Sequence, residues 1–296
     1  MAPRHTQDLK EVTAEPTFRM IDGLSIRFVE SQERSADALL LSPWPESVLA
    51  YEPIWSRLAE KAHLVAIDLP GFGRSEGRHD VMSPRAMGEF IVRVADEFGL
   101  VKPHVIAPDI GTSASLFAAS RHPERFLSVV VGSGGAAFPL SLEGPLREWV
   151  FAPNLEQYRR IGGRRIVERV LATLERYRVS DLAREDYLAS YDGDRFTESM
   201  RYVRSYPTEL ELLGGVLPLV QTPVQIIAGR TDAVVPLVNA EYLHQRLPKS
   251  ELRVVDAGHF TWEDDAAEYA NLVEAWWAGR FATVTSEIAG PMNVRS

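Results

Sequence analysis

The chain contains no cysteine. That absence rules out disulfides, thiolate metal sites and a cysteine nucleophile. It also lacks a basic surplus, since 32 Lys and Arg stand against 41 Asp and Glu for a net charge of −9. With no positive excess to neutralise phosphates, nucleic acid is excluded as a main partner. No apolar run approaches the roughly 20 residues that a bilayer crossing needs. The segment Met1–Lys10 has no apolar centre of the signal-peptide kind. The expectation is a cytoplasmic protein with neither membrane nor nucleic-acid partners, with a homodimer left open. No internal repeat or low-complexity stretch is evident. What is present is an ordinary globular composition, 45% hydrophobic and 25% charged over 296 residues. That length supports a sizeable core in one domain, with or without an inserted lid.

Short apolar runs alternate with amphipathic segments along most of the chain. Ala38–Leu41, His63–Asp68, Val105–Pro108, Phe126–Val131, Val224–Gly229 and Leu252–Asp256 read as strands. Leu24–Glu30, with mixed alternation, suits an edge strand. Between them, Ile54–Lys61 fits a helix. Ser83 caps another, with Pro84 at its first position and Met87, Phe90, Ile91, Val94 and Phe98 at helical spacing. Strand and helix alternating in this way predict an α/β fold, a mostly parallel sheet covered on both faces. From about 136 to 215 the strand pattern vanishes and Arg, Glu and Tyr accumulate on helical repeats over Gln157–Tyr177 and Asp181–Tyr191. The predicted organisation is a core of 21–135 and 216–282, a helical insertion at 136–215, and terminal arms at 1–20 and 283–296. Ala266–Phe281 reads as the closing helix.

The most informative residue is Asp109. Val105–Pro108 reads as a strand, Ala114–Arg121 as a helix, and small residues flank the turn between them. Such a turn lets the chain bend sharply and expose its central side chain. A serine there would form acyl-enzymes. A carboxylate attacking an acyl carbon gives an anhydride that reverts, whereas attack on a saturated carbon bearing a leaving group gives a stable ester for water to cleave. The substrates this chemistry suits are epoxides and alkyl halides.

Two later strand ends carry matching groups. Asp232 follows the run Ile226–Gly229, and His259 follows Val254–Val255. Ligands gather at the carboxyl ends of strands in open α/β sheets, so Asp109, Asp232 and His259 are expected to converge there. Taken singly, Asp232 could instead cap the helix after Pro236, and His259 could be a satisfied core histidine. Gly71-Phe72-Gly73 lacks a correctly placed third glycine and reads as a tight turn rather than a dinucleotide site. The run Arg159–Arg165 reads as a solvated helix face before it reads as an anion site.

With its order of nucleophile, acid and histidine, the chain resembles the α/β-hydrolase superfamily, and within it the epoxide hydrolase and haloalkane dehalogenase branch. The resemblance spans about 24–282. It rests on the elbow Ala107–Gly111, on Asp68-Leu69-Pro70-Gly71-Phe72-Gly73-Arg74-Ser75, on Gly229-Arg230-Thr231-Asp232 and on Ala257-Gly258-His259-Phe260. Ser42-Pro43-Trp44-Pro45-Glu46-Ser47 resembles the His-Gly-x-Pro-Glu-Ser loop of epoxide hydrolases.

The resemblance implies an α/β-hydrolase core with a helical cap, Asp109 as nucleophile, and His259 oriented by Asp232 to activate water. It also implies an oxyanion hole from the backbone N–H groups of Trp44 and Ile110, and no metal or organic cofactor. Asp109 is expected to be ionised at neutral pH, on an ordinary carboxylate value of about 3.9. Cap tyrosines protonate the opening ring in this branch, and by position Tyr158 and Tyr202 are the expected donors, with Tyr206 the near alternative. Haloalkane dehalogenases place a tryptophan just after the nucleophile and an Asn or Trp on the oxyanion loop. Ile110 fills the first position and Trp44 the second. Fluoroacetate dehalogenases place arginines where Ile110 and Ser113 stand. The implied function is therefore hydrolysis of a small apolar epoxide to a diol; the alternatives are a dehalogenase on the same triad and a non-catalytic small-molecule binder. Where the family has His-Gly, this chain has Ser42-Pro43, so the path into Trp44 is expected to differ.

Overall fold

The computed structural model describes residues 15–284. In chain order the elements are β1 (Thr17–Ile21), β2 (Leu24–Glu30), β3 (Asp37–Leu41), α1 (Glu52–Ala59), β4 (His63–Ile67), α2 (Pro84–Glu97), β5 (His104–Pro108), α3 (Ile110–Arg121) and β6 (Ser128–Gly132). There follow α4 (Gly144–Phe151), α5 (Glu156–Ile161), α6 (Gly163–Leu171), α7 (Asp181–Ser190), α8 (Arg195–Arg204) and α9 (Tyr206–Val216). The chain then returns through β7 (Val224–Gly229), α10 (Val238–Arg246), β8 (Ser250–Val255), α11 (Thr261–Asp264) and α12 (Ala266–Trp277).

The sheet has eight strands in the order β1-β2-β4-β3-β5-β6-β7-β8. All pairs from β4 to β8 are parallel, and β1 and β2 join antiparallel at one side. Every residue of β4, β5, β6 and β7 is buried, which is why these strands read as unbroken apolar runs. Ser83 caps α2 as expected, its side chain accepting from the Ala86 N–H.

Three expectations are corrected. The polar arm ends before Thr17, because β1 pairs with β2 through the hairpin Asp22-Gly23, whose φ values of 49° and 78° suit a two-residue turn. Phe18 and Met20 lie on the exposed side of β1, so its burial pattern gave little apolar signal. As a result β1, not Leu24–Glu30, is the edge. The helical run expected over Gln157–Tyr177 breaks at Gly162, which has a φ of 83° between α5 and α6, and α6 stops at Leu171. Most of the two terminal arms lies outside the described residues. Among those residues no helix is long and apolar enough to cross a membrane.

Because the strands from β3 to β8 run the same way, the turns after β3, β5, β7 and β8 meet at one edge of the sheet. The helices α4–α9, inserted between β6 and β7, contact that edge. Tyr202 of α8 reaches the Ile110 carbonyl, and Asp186 of α7 reaches Ser47.

Candidate active site

Asp109 occupies the turn from β5 into α3 with φ 51° and ψ −121°, a left-handed conformation that few non-glycine residues hold. Small neighbours make it achievable. A side chain at Gly111 would press on Ala107 and Leu41, and one at Gly134 would run into the Asp109 carbonyl and Thr112. The Asp109 N–H is held by the Gly132 carbonyl at 2.9 Å. The strain is thus carried by β5, β6 and α3 together.

The carboxylate itself is 5% exposed. The Trp44 N–H donates to its Oδ2 at 2.7 Å, and the Ile110 N–H lies close enough to lower its pKa. The peptide Trp44–Pro45 is cis. Despite Ser42-Pro43, the Trp44 donor therefore reaches Asp109, with the Ile110 N–H beside it. Burial raises the Asp109 pKa to about 6, against the lowering effects of His259 and of these two N–H groups. The group is still mostly ionised at neutral pH, but with much less margin than an ordinary aspartate.

His259 Nδ1 lies 2.9 Å from Asp232 Oδ2, and its Nε2 lies 3.8 Å from Asp109 Oδ1. Burial works against the charged imidazole, but the Asp232 carboxylate and its hydrogen bond, with Asp109, outweigh it and raise the His259 pKa. Asp232 Oδ1 accepts from the Val234 and Val235 N–H groups at 2.9 and 2.8 Å. One oxygen thus orients the histidine and the other ties down the turn after β7. The cap of the helix after Pro236 is not Asp232, since α10 begins at Val238 with Leu237 at its N-cap and no side-chain cap bond.

A cavity of about 300 Å³ opens above Asp109 and His259. Trp44, Trp149, Tyr158, Ile166, Val234 and Phe260 form much of its largely apolar wall. Tyr158, from α5, is thus brought to the site. Tyr202 is not among the lining residues: its hydroxyl donates to the Ile110 carbonyl at 2.8 Å and lies 3.4 Å from Ser113 Oγ. The direct role expected of Tyr202 is not the one this geometry offers. It braces the start of α3 instead, because α8 turns that hydroxyl towards backbone. Nor does Tyr206 line the cavity; it packs edge-on against Tyr202. The arginine run resolves as the solvated-face reading had it, with Arg159 on Glu156 and Arg164 on Glu185.

Sequence reasoning missed the groups that hold the loops together. Asp186 of α7 receives Ser47 Oγ and Arg27, each at 2.7 Å, and pairs with Arg74 at 2.9 Å. Asp264 accepts from the N–H groups of Glu175, Arg176 and Tyr177, tying the inserted segment to the turn after His259. Beneath the site, Glu46 and Glu263 are buried against each other. Trp262 Nε1 donates to Glu46 Oε2 at 3.0 Å, and the Tyr187 hydroxyl donates to Glu263 Oε1 at 3.3 Å. Burial and mutual repulsion push Glu46 well above the carboxylate range, and burial pushes Glu263 to about 7. Glu46 Oε1 and Glu263 Oε2 have no other donor, as two carboxyls that hold a proton between them would leave them. The only sequence signal for any of this was Glu46-Ser47 in the oxyanion loop.

Known proteins agree with this architecture. Residues 39–266 match the alpha/beta hydrolase fold family. The chain is 29% identical over 232 residues to 2-hydroxymuconate semialdehyde hydrolase of Pseudomonas putida, covering 75% of this chain and 79% of that one. Among solved structures, an epoxide hydrolase from Vigna radiata superposes with a TM-score of 0.72 at 18% identity, covering 88% and 97% of the two chains. The enol-lactonase from Burkholderia xenovorans LB400 does so with 0.74 at 17%, covering 88% and 100%. With an eight-stranded, mostly parallel sheet, an elbow after β5, and an acid and a histidine after β7 and β8, this chain belongs to the alpha/beta hydrolase fold family.

Proposed function

We propose that the protein is a hydrolase that opens epoxides to diols through an ester on Asp109. The observation that carries this reading is the carboxylate at the elbow, with Trp44 N–H 2.7 Å from one oxygen and His259 3.8 Å from the other. Asp109 Oδ1 attacks a ring carbon, the carbon–oxygen bond breaks, and the Tyr158 hydroxyl protonates the leaving alkoxide. Oδ2, already held by Trp44, becomes the ester carbonyl oxygen. His259 Nε2 then takes a proton from water, which attacks the Asp109 carboxyl carbon. The N–H groups of Trp44 and Ile110 hold the resulting oxyanion, each such donor contributing about 2.7–4 kcal/mol. On collapse the ester C–O bond breaks and the departing diol oxygen takes the proton held by His259. The remaining water proton on the new carboxyl returns to the Tyr158 phenolate, restoring carboxylate, histidine and tyrosine. The helices α4–α9 act as the cap, closing an apolar chamber in which a small, largely apolar substrate sheds water.

The semialdehyde hydrolase relative supports hydrolysis in general, while the carboxylate at the elbow favours displacement at saturated carbon over acyl transfer. A dehalogenase is the second reading, favoured by Trp44 and Trp149 together in the cavity wall. Intact-mass measurement of His259→Gln after incubation with epoxides and haloalkanes separates them. An adduct on Asp109 from epoxides supports the first reading, and one from haloalkanes alone replaces it with the second. No adduct from either class, with an inert wild type, points to a binding role.

A further inference from the structure

The inserted helices are rich in arginine, and half of those guanidinium groups are committed. Arg159 and Arg164 hold carboxylates, as do Arg176 on Asp256 and Arg184 on Glu168, while Arg195 holds the carbonyls of Ser190, Gly73 and Ser75. Among the described residues Arg169, like Arg147, Arg160, Arg165, Arg178 and Arg201, makes no ion pair or side-chain hydrogen bond. Of these arginines it is the one that lines the cavity above Asp109. Its place follows from helix geometry. Ile166, Arg169, Val170 and Thr173 all line the cavity, and their spacing of three and four residues is one face of α6 continued into the turn beyond it. The one other charged residue of the wall besides the catalytic pair is Glu148 of α4, which also borders a shallow outer depression beside Arg147 and Phe151. Glu148 and Arg169 are both exposed, so the two charges stand at the mouth of the cavity, Arg169 on α6 and Glu148 on α4.

A guanidinium is always charged and presents a planar fork of donors suited to carboxylate. Asp109 on the cavity floor repels an anion placed next to the reacting carbon, so a substrate anion is tolerated only at the far end. We infer that Arg169 is a specificity-determining residue that binds the carboxylate of an epoxy acid, with the ring at the opposite end over Asp109. This deepens the epoxide reading and rests on it for the identity of the reacting group, but not for the binding of the carboxylate.

The test uses the full chain and a matched pair, an ω-epoxydecanoate and its methyl ester. Wild type is expected to favour the acid, and Arg169→Met to lower the acid-to-ester ratio of kcat/KM by about 10–100-fold, mostly through KM. Arg169→Lys is expected to recover part of that ratio. Calorimetric binding of decanoate to Asp109→Asn, with and without Arg169→Met, reads the same contact without chemistry. Decanoate binding that is lost with Arg169 supports the inference even if no epoxide turns over, which would sink only the epoxide reading. An ester used as well as the acid by wild type, or decanoate binding indifferent to Arg169→Met, overturns the inference while leaving the epoxide reading in place.

Discussion

Asp68 and Asp109 end two strands of the same sheet, both are buried, and burial raises both to a pKa of about 6. Their surroundings separate them. Asp68 is wholly enclosed: it accepts from the N–H groups of Val48 and Arg74 at 2.7 and 2.9 Å and faces Arg27 at 3.5 Å. Asp109 has the N–H groups of Trp44 and Ile110 on one side, a histidine on the other, and a cavity above. Burial alone therefore does not mark a reactive carboxylate. A carboxylate with permanent cationic and backbone partners joins segments together, and one with an open face and a proton-accepting neighbour can react.

Substitution is the sharpest way to break this parallel. Asp109→Asn is expected to abolish turnover without lowering the thermal midpoint, since it removes a buried charge. Asp68→Asn is expected to lose about 2–3 kcal/mol in urea unfolding, by weakening a buried pair, while folded molecules keep turning over. Asp109→Asn with wild-type activity, or a stable Asp68→Asn, would erase the distinction.

The next largest difference concerns the two tyrosines. Tyr158→Phe should cut epoxide opening about 10²–10⁴-fold, as loss of a proton donor does. Tyr202→Phe should cost about 1 kcal/mol of stability, the net worth of a hydrogen bond to backbone, with a smaller rate effect. Pre-steady-state rates and melting curves on both variants decide which tyrosine touches substrate.

The acid limbs of the two chemical steps should also separate. Ester formation needs ionised Asp109, so it falls as pH drops through about 6. Ester hydrolysis needs neutral His259, whose pKa is raised, so its limb lies at higher pH than an ordinary histidine gives. The ester should accumulate on moving from neutral towards mildly acid pH, which quench-and-mass measurement reads directly.

The smallest expected effect lies in the Glu46–Glu263 pair. The folded state keeps a proton that the unfolded chain releases in the ordinary carboxylate range, so this stabilisation is present at low pH and lost as pH rises through about 7. Glu263→Gln should raise Tm by about 2–4 °C at pH 8 and change little at pH 5. Equal shifts at both pH values would show that the pair does not share its proton.

The strands, the elbow, and the acid and histidine past later strand ends were legible because each is local. An apolar run, a small-residue turn and a charged residue just past a strand lie within a few positions of one another. The edge strand β1 was not, because one of its faces is solvated and its hairpin lay beyond the patterned core. Tyr158 and Tyr202 look alike in sequence, and only the packing of α5 and α8 decides that one faces the cavity and the other a carbonyl. Glu46 and Glu263 are separated by most of the chain, and nothing local marks two acids that will share a proton. Arg169 was one arginine among many until the fold set it on the cavity wall.

By itself, then, the amino-acid sequence determined the α/β architecture and placed a carboxylate, an acid and a histidine at strand ends, since hydrophobic periodicity and turn chemistry act over short range. Tertiary structure decided the pKa of Asp109, the reach of the Trp44 N–H past Ser42-Pro43, the tyrosine that faces the chamber and the arginine that lines it. Those depend on burial and on distances between segments far apart in the chain, which only the folded arrangement sets.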